Sequence, residues 1–148
     1  MNFTKNHEIR EVCAPVAAAD DTDQNSDRID MSGYDGITFI VPITDSVATG
    51  VATLTIEQNT LDSDTGMAEL EGASATITCV EGDDINNTLL VVEIDRPQER
   101  YVQAVLTSTT ANIAFGNMVA VLHGPRTKPV SEHASVSDMT LVVEPDEA

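Results

Sequence analysis

Residues 52–58 have the sequence ATLTIEQ, in which apolar and polar residues alternate. Successive side chains of a β-strand point to opposite faces of a sheet, so Leu54 and Ile56 share one face and the intervening threonines lie on the other. The stretch therefore predicts a strand that has one face in a hydrophobic core and the other in water.

Similar runs recur on both sides of this stretch. Further strands are predicted at residues 27–31, 36–41, 75–80, 89–94, 101–107, 117–122 and 139–143. Turn-forming residues separate the runs, for example at 32–33 and 62–66. Short strands divided by such turns are typical of an all-β protein, here an antiparallel β-sandwich or jelly roll. The helical segments that a doubly wound α/β fold needs between its strands are missing; only residues 9–19, interrupted by Pro15, and 67–73 are candidates for short helices.

The length of 148 residues suits one domain, and its two ends differ from its body. Residues 1–25 contain a small-residue patch and an acidic run, and we predict an N-terminal arm there. Residues 26–124 are predicted to form the sandwich. Residues 125–148 are predicted to form a C-terminal arm with one possible extra strand. These arms would either dock on a neighbouring molecule or be ordinary frayed termini.

The charge balance restricts the classes of partner. The chain has 25 acidic residues against 7 lysines and arginines, a net charge of −18. Nucleic acids and anionic lipid surfaces attract cationic side chains, so neither is an expected partner. The acidic excess is compatible with simple solubility, with a saline setting or with a basic partner surface.

Nothing in the sequence predicts catalysis or export. The chain has no nucleophile-elbow, zinc-helix, phosphate-loop or dinucleotide motif, so we expect no enzyme, no catalytic residue and no cofactor. We recognise neither a secretion signal near the N-terminus nor a run long enough to span a membrane. Cys13 and Cys79 are accordingly expected to be free thiols.

One acidic turn has two interpretations. Residues 62–66, DSDTG, begin like a calcium loop, but Gly66 and Met67 stand where an oxygen ligand and the turn glycine are required. A hairpin turn explains the same residues, so no metal is expected. The alternative calcium ligands are Asp62, Asp64 and Glu69, joined by Asn59.

The stretch 124–130, GPRTKPV, is the most distinctive local feature. Pro125 and Pro129 stiffen the chain and favour an extended path. Arg126 and Lys128 form a small positive point on an acidic protein, which suits contact with an acidic patch on a neighbouring subunit. A rigid exit from the last strand is the alternative. The predicted partner-binding residues are Gly124, Pro125, Arg126, Lys128, Pro129 and Val130.

The order of these segments resembles a known group of proteins. The residues that carry the resemblance are Gly33–Phe39, Arg100–Thr107 and Val119–Val130. Over residues 26–130 the chain resembles small virion proteins of tailed bacteriophages, including capsid cement (decoration) proteins with jelly-roll folds. It departs from them in its acidic N-terminal segment and in its tail after Val130.

The resemblance implies a non-enzymatic protein that binds the outer capsid surface of a virion assembled in the host cytoplasm. Its partners would be the major capsid protein, whose subunits it would bridge, and itself, as a homo-dimer or homo-trimer. Oligomerisation would multiply modest contacts, and open sheet edges could add strands to a partner. Two alternatives remain open: a tail or head-fibre component, and a calcium-dependent extracellular β-sandwich module for adhesion or sugar binding.

Overall fold

The computed structural model describes residues 2–144 and 146–147. These residues form a single-turn helix, α1 (Phe3–Asn6), and eleven strands. The strands are β1 (Glu8–Cys13), β2 (Val16–Ala19), β3 (Asp23–Asn25), β4 (Ile29–Asp30), β5 (Gly36–Ser46), β6 (Val51–Asn59), β7 (Ala68–Thr78), β8 (Thr88–Asp95), β9 (Tyr101–Thr109), β10 (Ile113–Phe115) and β11 (Met118–His123).

The strands form two antiparallel sheets, which confirms the predicted β-sandwich. Sheet A has the order β1-β11-β5-β10-β2, and β8 pairs with the other edge of β5. Sheet B has the order β3-β9-β6-β7, and β4 also pairs with β9. Within the described residues, β8 and β7 are therefore edge strands of their sheets.

The core lies between the two sheets and is built by alternation. In β5 the side chains of Ile37, Phe39, Val41 and Ile43 are fully buried. Sheet B contributes residues of the same kind from β6 and β9, including Leu54. Burying each of these large apolar side chains stabilises the fold by about 1.5–3 kcal/mol.

The prediction of an N-terminal arm is wrong for residues 8–25. They form three strands that complete the sandwich, because β1 pairs with β11, β2 with β10 and β3 with β9. The sequence of β1 lacks the alternation of apolar and polar residues that predicts a strand. Its inward positions include Glu8 and Arg10, which lie on the same face as the core side chains of β11. Glu8 is buried, with only 9% of the residue exposed. Its carboxylate accepts hydrogen bonds from Arg10 and from the Tyr34 hydroxyl, and these bonds compensate for the loss of water.

The C-terminal segment folds back on its own molecule. The amide of Val130 donates to the Lys5 carbonyl at 3.0 Å, and the amide of Glu11 donates to Ser135 Oγ at 3.0 Å. These contacts place residues 130–135 beside the outer edge of β1. The strand predicted at Met139–Val143 is not formed, because no ladder partner faces that segment in the described residues.

Both cysteines are buried free thiols, as the sequence predicts. Burial raises the pKa of each thiol above its ordinary value. In the described part of the chain, no helix is long or apolar enough to cross a membrane.

Candidate interaction surfaces

The outward side of sheet A is unusually apolar for the exposed face of a sheet. We call it the outer face of sheet A; its apolar members are Ile9, Ile40, Pro42, Leu89, Val91, Val119 and Val121. They alternate along their strands with the core residues, so they point away from the core. Leu89 and Val91, on the edge strand β8, are 59% and 48% exposed.

Strand register brings these side chains together in cross-strand rows. Val91 lies opposite Ile40, and Ile40 lies opposite Val119. Leu89 lies opposite Pro42 in the next row. Directly opposite side chains in a sheet touch, so these rows form a continuous apolar patch across three strands. Glu11 and Glu93 on the same face lie on the outermost strands, β1 and β8.

The outward side of sheet B is more polar, with hydroxyl side chains on three strands beside two valines, Val51 and Val105. Thr53 lies between Thr76 and Thr107, and Thr55 lies opposite Ser74. The Thr53 and Thr76 hydroxyls are 3.1 Å apart, a hydrogen bond across the two strands. Hydroxyl side chains of this kind are well solvated, so this face has no need of a partner. The two faces therefore differ in what they can bind.

An apolar groove continues the patch around the edge of the sandwich. It has a volume of about 500 Å³ and lies between the edge strands β7 and β8, where Ile77, Ile85 and Leu89 line it. Residues 72–80 and 85–92 on its two sides contain no charged residue, in a chain with a net charge of −18. Edge strands also offer unpaired backbone amides and carbonyls to a partner.

The predicted partner-binding stretch, residues 124–130, lies at one end of the sandwich. Gly124 has a positive φ of 63°, and a Cβ there would lie 2.6 Å from the Asp35 Cβ, so the turn requires glycine. The amide of Arg126 then donates to the Gly33 carbonyl at 2.9 Å. The backbone thus contacts its own molecule, while the Arg126 and Lys128 side chains are exposed. Their contact with a partner stays a prediction.

Arg126 also lines a cleft that the sequence pattern did not predict. The arginine cleft has a volume of about 450 Å³ and lies between residues 31–35, residues 96–100 and Arg126. Arg96 and Arg100 are its other two cationic side chains. These three arginines come from a total of 7 basic residues, and they lie in the cleft beside the carboxylates of Asp35 and Glu99.

Main-chain hydrogen bonds fix the three walls of the arginine cleft to one another. The amide of Arg96 donates to the Asp35 carbonyl at 2.7 Å, and the amide of Met31 donates to the Arg100 carbonyl at 2.8 Å. Arg96 has a φ of 54°, a left-handed conformation that is unfavourable for residues other than glycine. The surrounding bonds hold it there, so the wall is preorganised.

The three guanidinium groups differ in how far they are neutralised. Arg100 donates to both carboxylate oxygens of Asp30, at 3.0 and 2.8 Å, and these bonds hold the pKa of Asp30 well below its ordinary value. Arg96 has a single 3.4 Å contact with Asp95 and is 82% exposed. Among the described residues, Arg126 has no carboxylate within 4 Å. Two of the three groups are thus open to an anion.

Two of the three calcium candidates, Asp62 and Asp64, are arranged around a guanidinium. Arg28 Nε donates to Asp62 at 2.6 Å, and Arg28 donates through a second nitrogen to Asp64 at 2.7 Å. Glu69 lies elsewhere, opposite Glu57 on β6. In the residues described, no group of three or more His, Cys, Asp or Glu side chains converges as metal ligands would. The side chain of Arg28 bonds to both aspartates and offsets one of their two negative charges.

Asn59 organises the same loop from its buried end. Its side-chain amide donates to the carbonyls of Ser63 and Thr65, and its carbonyl accepts from the amide of Leu61. The side chain therefore supplies hydrogen bonds that hold the turn closed. This geometry supports the interpretation of residues 62–66 as a hairpin turn.

Comparison with known proteins found no matching family model and no matching curated protein. Among solved structures, the phage PBSX exported protein XepA is similar, with a TM-score of 0.53 and 13% identity. The similarity covers 97% of this chain and 46% of that protein, so this chain spans about half its length. A carbohydrate-binding module, CBM4, is similar with a TM-score of 0.50 and 12% identity, over 82% of this chain and 90% of that module.

Identities this low show the fold alone. The protein is thus a β-sandwich of a kind that also occurs in a phage exported protein and in a carbohydrate-binding module.

Proposed function

We propose that this protein is a structural virion component, a cement or decoration protein, that binds the outer surface of a bacteriophage capsid. It would bridge major capsid protein subunits through the outer face of sheet A. The similarity to the PBSX exported protein XepA, over nearly the whole chain, shows that the fold is compatible with this proposal, and the phage setting rests on the sequence resemblance over residues 26–130.

The observation that carries this proposal is the contrast between the two outward faces. A chain with 25 acidic residues keeps the central strands of one face almost free of charge and fills them with branched aliphatic side chains. Contiguous exposed apolar patches mark interaction sites, and the cores of protein interfaces are depleted of charge. A protein shell is a partner that such a face can cover over a large area.

The proposed role requires no catalysis, because stabilisation follows from mass action. A protein that binds only the assembled shell raises the stability of that shell. Several copies linked as a homo-dimer or homo-trimer would strengthen weak single contacts through effective concentration. The free edges of β7 and β8 and the apolar groove between them are where such self-contacts would form most readily.

Co-sedimentation with shells assembled from the candidate major capsid protein tests this proposal. We expect the wild-type protein to sediment with shells, and Val91→Glu to lose binding by about tenfold or more, since an unpaired charge in an apolar interface costs well over 1.4 kcal/mol. Ser74→Glu is the matched control, because it adds the same charge to an exposed position of sheet B. Thermal melts of the free proteins establish that both variants fold.

Three outcomes would overturn the proposal. The first is a wild-type protein that ignores shells. The second is equal loss of binding in both variants, which would mean that added charge, and not the apolar face, matters. The third is sedimentation with purified tails instead of shells, which would assign the protein to the tail or head-fibre class.

A further inference from the structure

We propose that the arginine cleft binds an acidic saccharide, a uronic acid unit whose carboxylate pairs with Arg126 and Arg96. This goes beyond docking on a shell, because the cleft lies at one end of the sandwich. The inference rests on the charges, hydrogen-bonding groups and size of the cleft.

The cleft offers two guanidinium groups, those of Arg96 and Arg126, to an anionic group of a ligand. Arg126 has no carboxylate partner within 4 Å among the described residues, and the contact of Arg96 with Asp95 is long and exposed. Guanidinium groups pair with carboxylates through planar, two-pronged hydrogen bonds. A carboxylate placed between the two arginines would complete what the folded chain leaves open.

The same cleft also offers two carboxylates as hydrogen-bond acceptors to a ligand. Asp35 and Glu99 line it, and no side-chain donor of the described residues bonds their carboxylates. Ionised carboxylates only accept hydrogen bonds and repel further negative charge. A polyphosphate or a sulfate-rich polymer therefore fits poorly, whereas a molecule that combines one carboxylate with several hydroxyls satisfies both sets of groups. Uronic acids have this composition.

The size and lining of the cleft fit a sugar. A volume of about 450 Å³ falls in the range of small-molecule sites and exceeds what one acidic side chain of a partner would fill. Met31, Tyr34 and Pro97 add apolar surface, and Ser32 and Gln98 add neutral polar groups. The main-chain bonds between the walls fix the backbone that carries these groups, which lowers the entropy cost of binding.

Calorimetry with a purified uronic acid oligomer, digalacturonate or trigalacturonate, tests the inference on the full chain. We expect measurable binding that Arg126→Ala weakens by about tenfold or more, since the variant removes a charge-assisted hydrogen bond to the carboxylate. Lys5→Ala, which removes one positive charge outside the cleft, should keep wild-type affinity. The neutral galactose oligomer should bind at least about tenfold more weakly than its acidic counterpart.

Several results would overturn the inference. Absence of binding would do so, as would equal weakening by Lys5→Ala, which would indicate long-range charge alone. Competition by sulfate or phosphate at the same concentration as the oligomer would show a general anion site without selectivity for sugars. Val91→Glu separates the two proposals, because it should lose shell binding and keep the affinity for the acidic oligomer.

Discussion

Tyr34 shows how one side chain can tie the N-terminal strand to the sandwich. Its hydroxyl donates to the buried Glu8 carboxylate, which Arg10 Nε also approaches at 2.8 Å. Burial, and secondly the bond to Glu8, raise the pKa of Tyr34 to about 12. A tyrosine pKa raised in the folded state stabilises the fold below the unfolded value near 10, and this contribution disappears as the pH rises through about 12.

The first prediction follows from this titration. Between pH 9 and about 12 the wild-type free energy of unfolding should fall more steeply than that of Tyr34→Phe, which has no phenol to titrate. Tyr34→Phe should also cost about 1–3 kcal/mol at neutral pH, because Glu8 loses a hydrogen-bond donor. Urea unfolding at a series of pH values measures both effects. Tyr101→Phe is the control, and parallel pH profiles for wild type and Tyr34→Phe would contradict the prediction.

The side chains of β1 explain why its sequence predicts part of an arm and not a strand. Patterns of apolar residues reveal strands whose inward side chains are apolar, as in β5 and β6. In β1 the inward positions include Glu8 and Arg10, which bond to each other, and the Glu8 carboxylate takes a further donor, Tyr34, from a distant part of the sequence. No local pattern can report a bond between residues 8 and 34, so this strand could be recognised only in the folded molecule.

At the scale of elements, the loop between β6 and β7 is closed by side chains. Asn59 is buried and makes three hydrogen bonds to the loop backbone, while Arg28 joins two of its aspartates. The exposed ion pairs contribute little to stability, because water and salt screen them. The buried amide is the group on which the loop depends.

The second prediction concerns this amide. Asn59→Ala should lower the free energy of unfolding by about 1–3 kcal/mol, because it leaves backbone groups of the loop without partners. Thr60→Ala, at the exposed neighbouring position, should change it by less than about 0.5 kcal/mol. Added calcium should not restore the stability of Asn59→Ala. Recovery with calcium in urea unfolding would mean that this loop does bind the metal.

The sequence predicted the positions of some strands well but missed the full length of β7. The alternation at 52–58 and 101–107 located β6 and β9 closely. The strand predicted at 75–80 proved to be the end of a longer strand, β7, which also includes part of the short helix predicted at 67–73. A bulge opposite Thr55 and Glu57 shifts the register there, so the alternation is broken where a helix was expected.

For the whole molecule, the sequence predicted the sandwich. Which outward face is apolar and which is polar became clear only from the pairing register of the strands. The runs at 36–41 and 89–94 are nearly continuously apolar, which in an antiparallel sheet means that the outward face is apolar as well as the core face. These continuous apolar runs are the feature of the sequence that indicates the outer face of sheet A. The arginine cleft had no such signal, because its arginines come from segments far apart in the chain.

The third prediction concerns the charge of the whole molecule. A net charge of −18 on a chain with few ion pairs makes repulsion among carboxylates the dominant long-range term, and salt screens it. The Tm at neutral pH should therefore rise by several degrees between about 20 mM and about 500 mM NaCl, where the screening length falls well below 10 Å. A variant that combines Asp21→Asn, Glu71→Gln and Glu81→Gln, all exposed positions, should have a higher Tm at low salt and a weaker salt dependence. If salt instead lowered the Tm, or if the variant kept the full dependence, attraction within ion pairs would outweigh repulsion, and the acidic surface would have to be explained by local contacts.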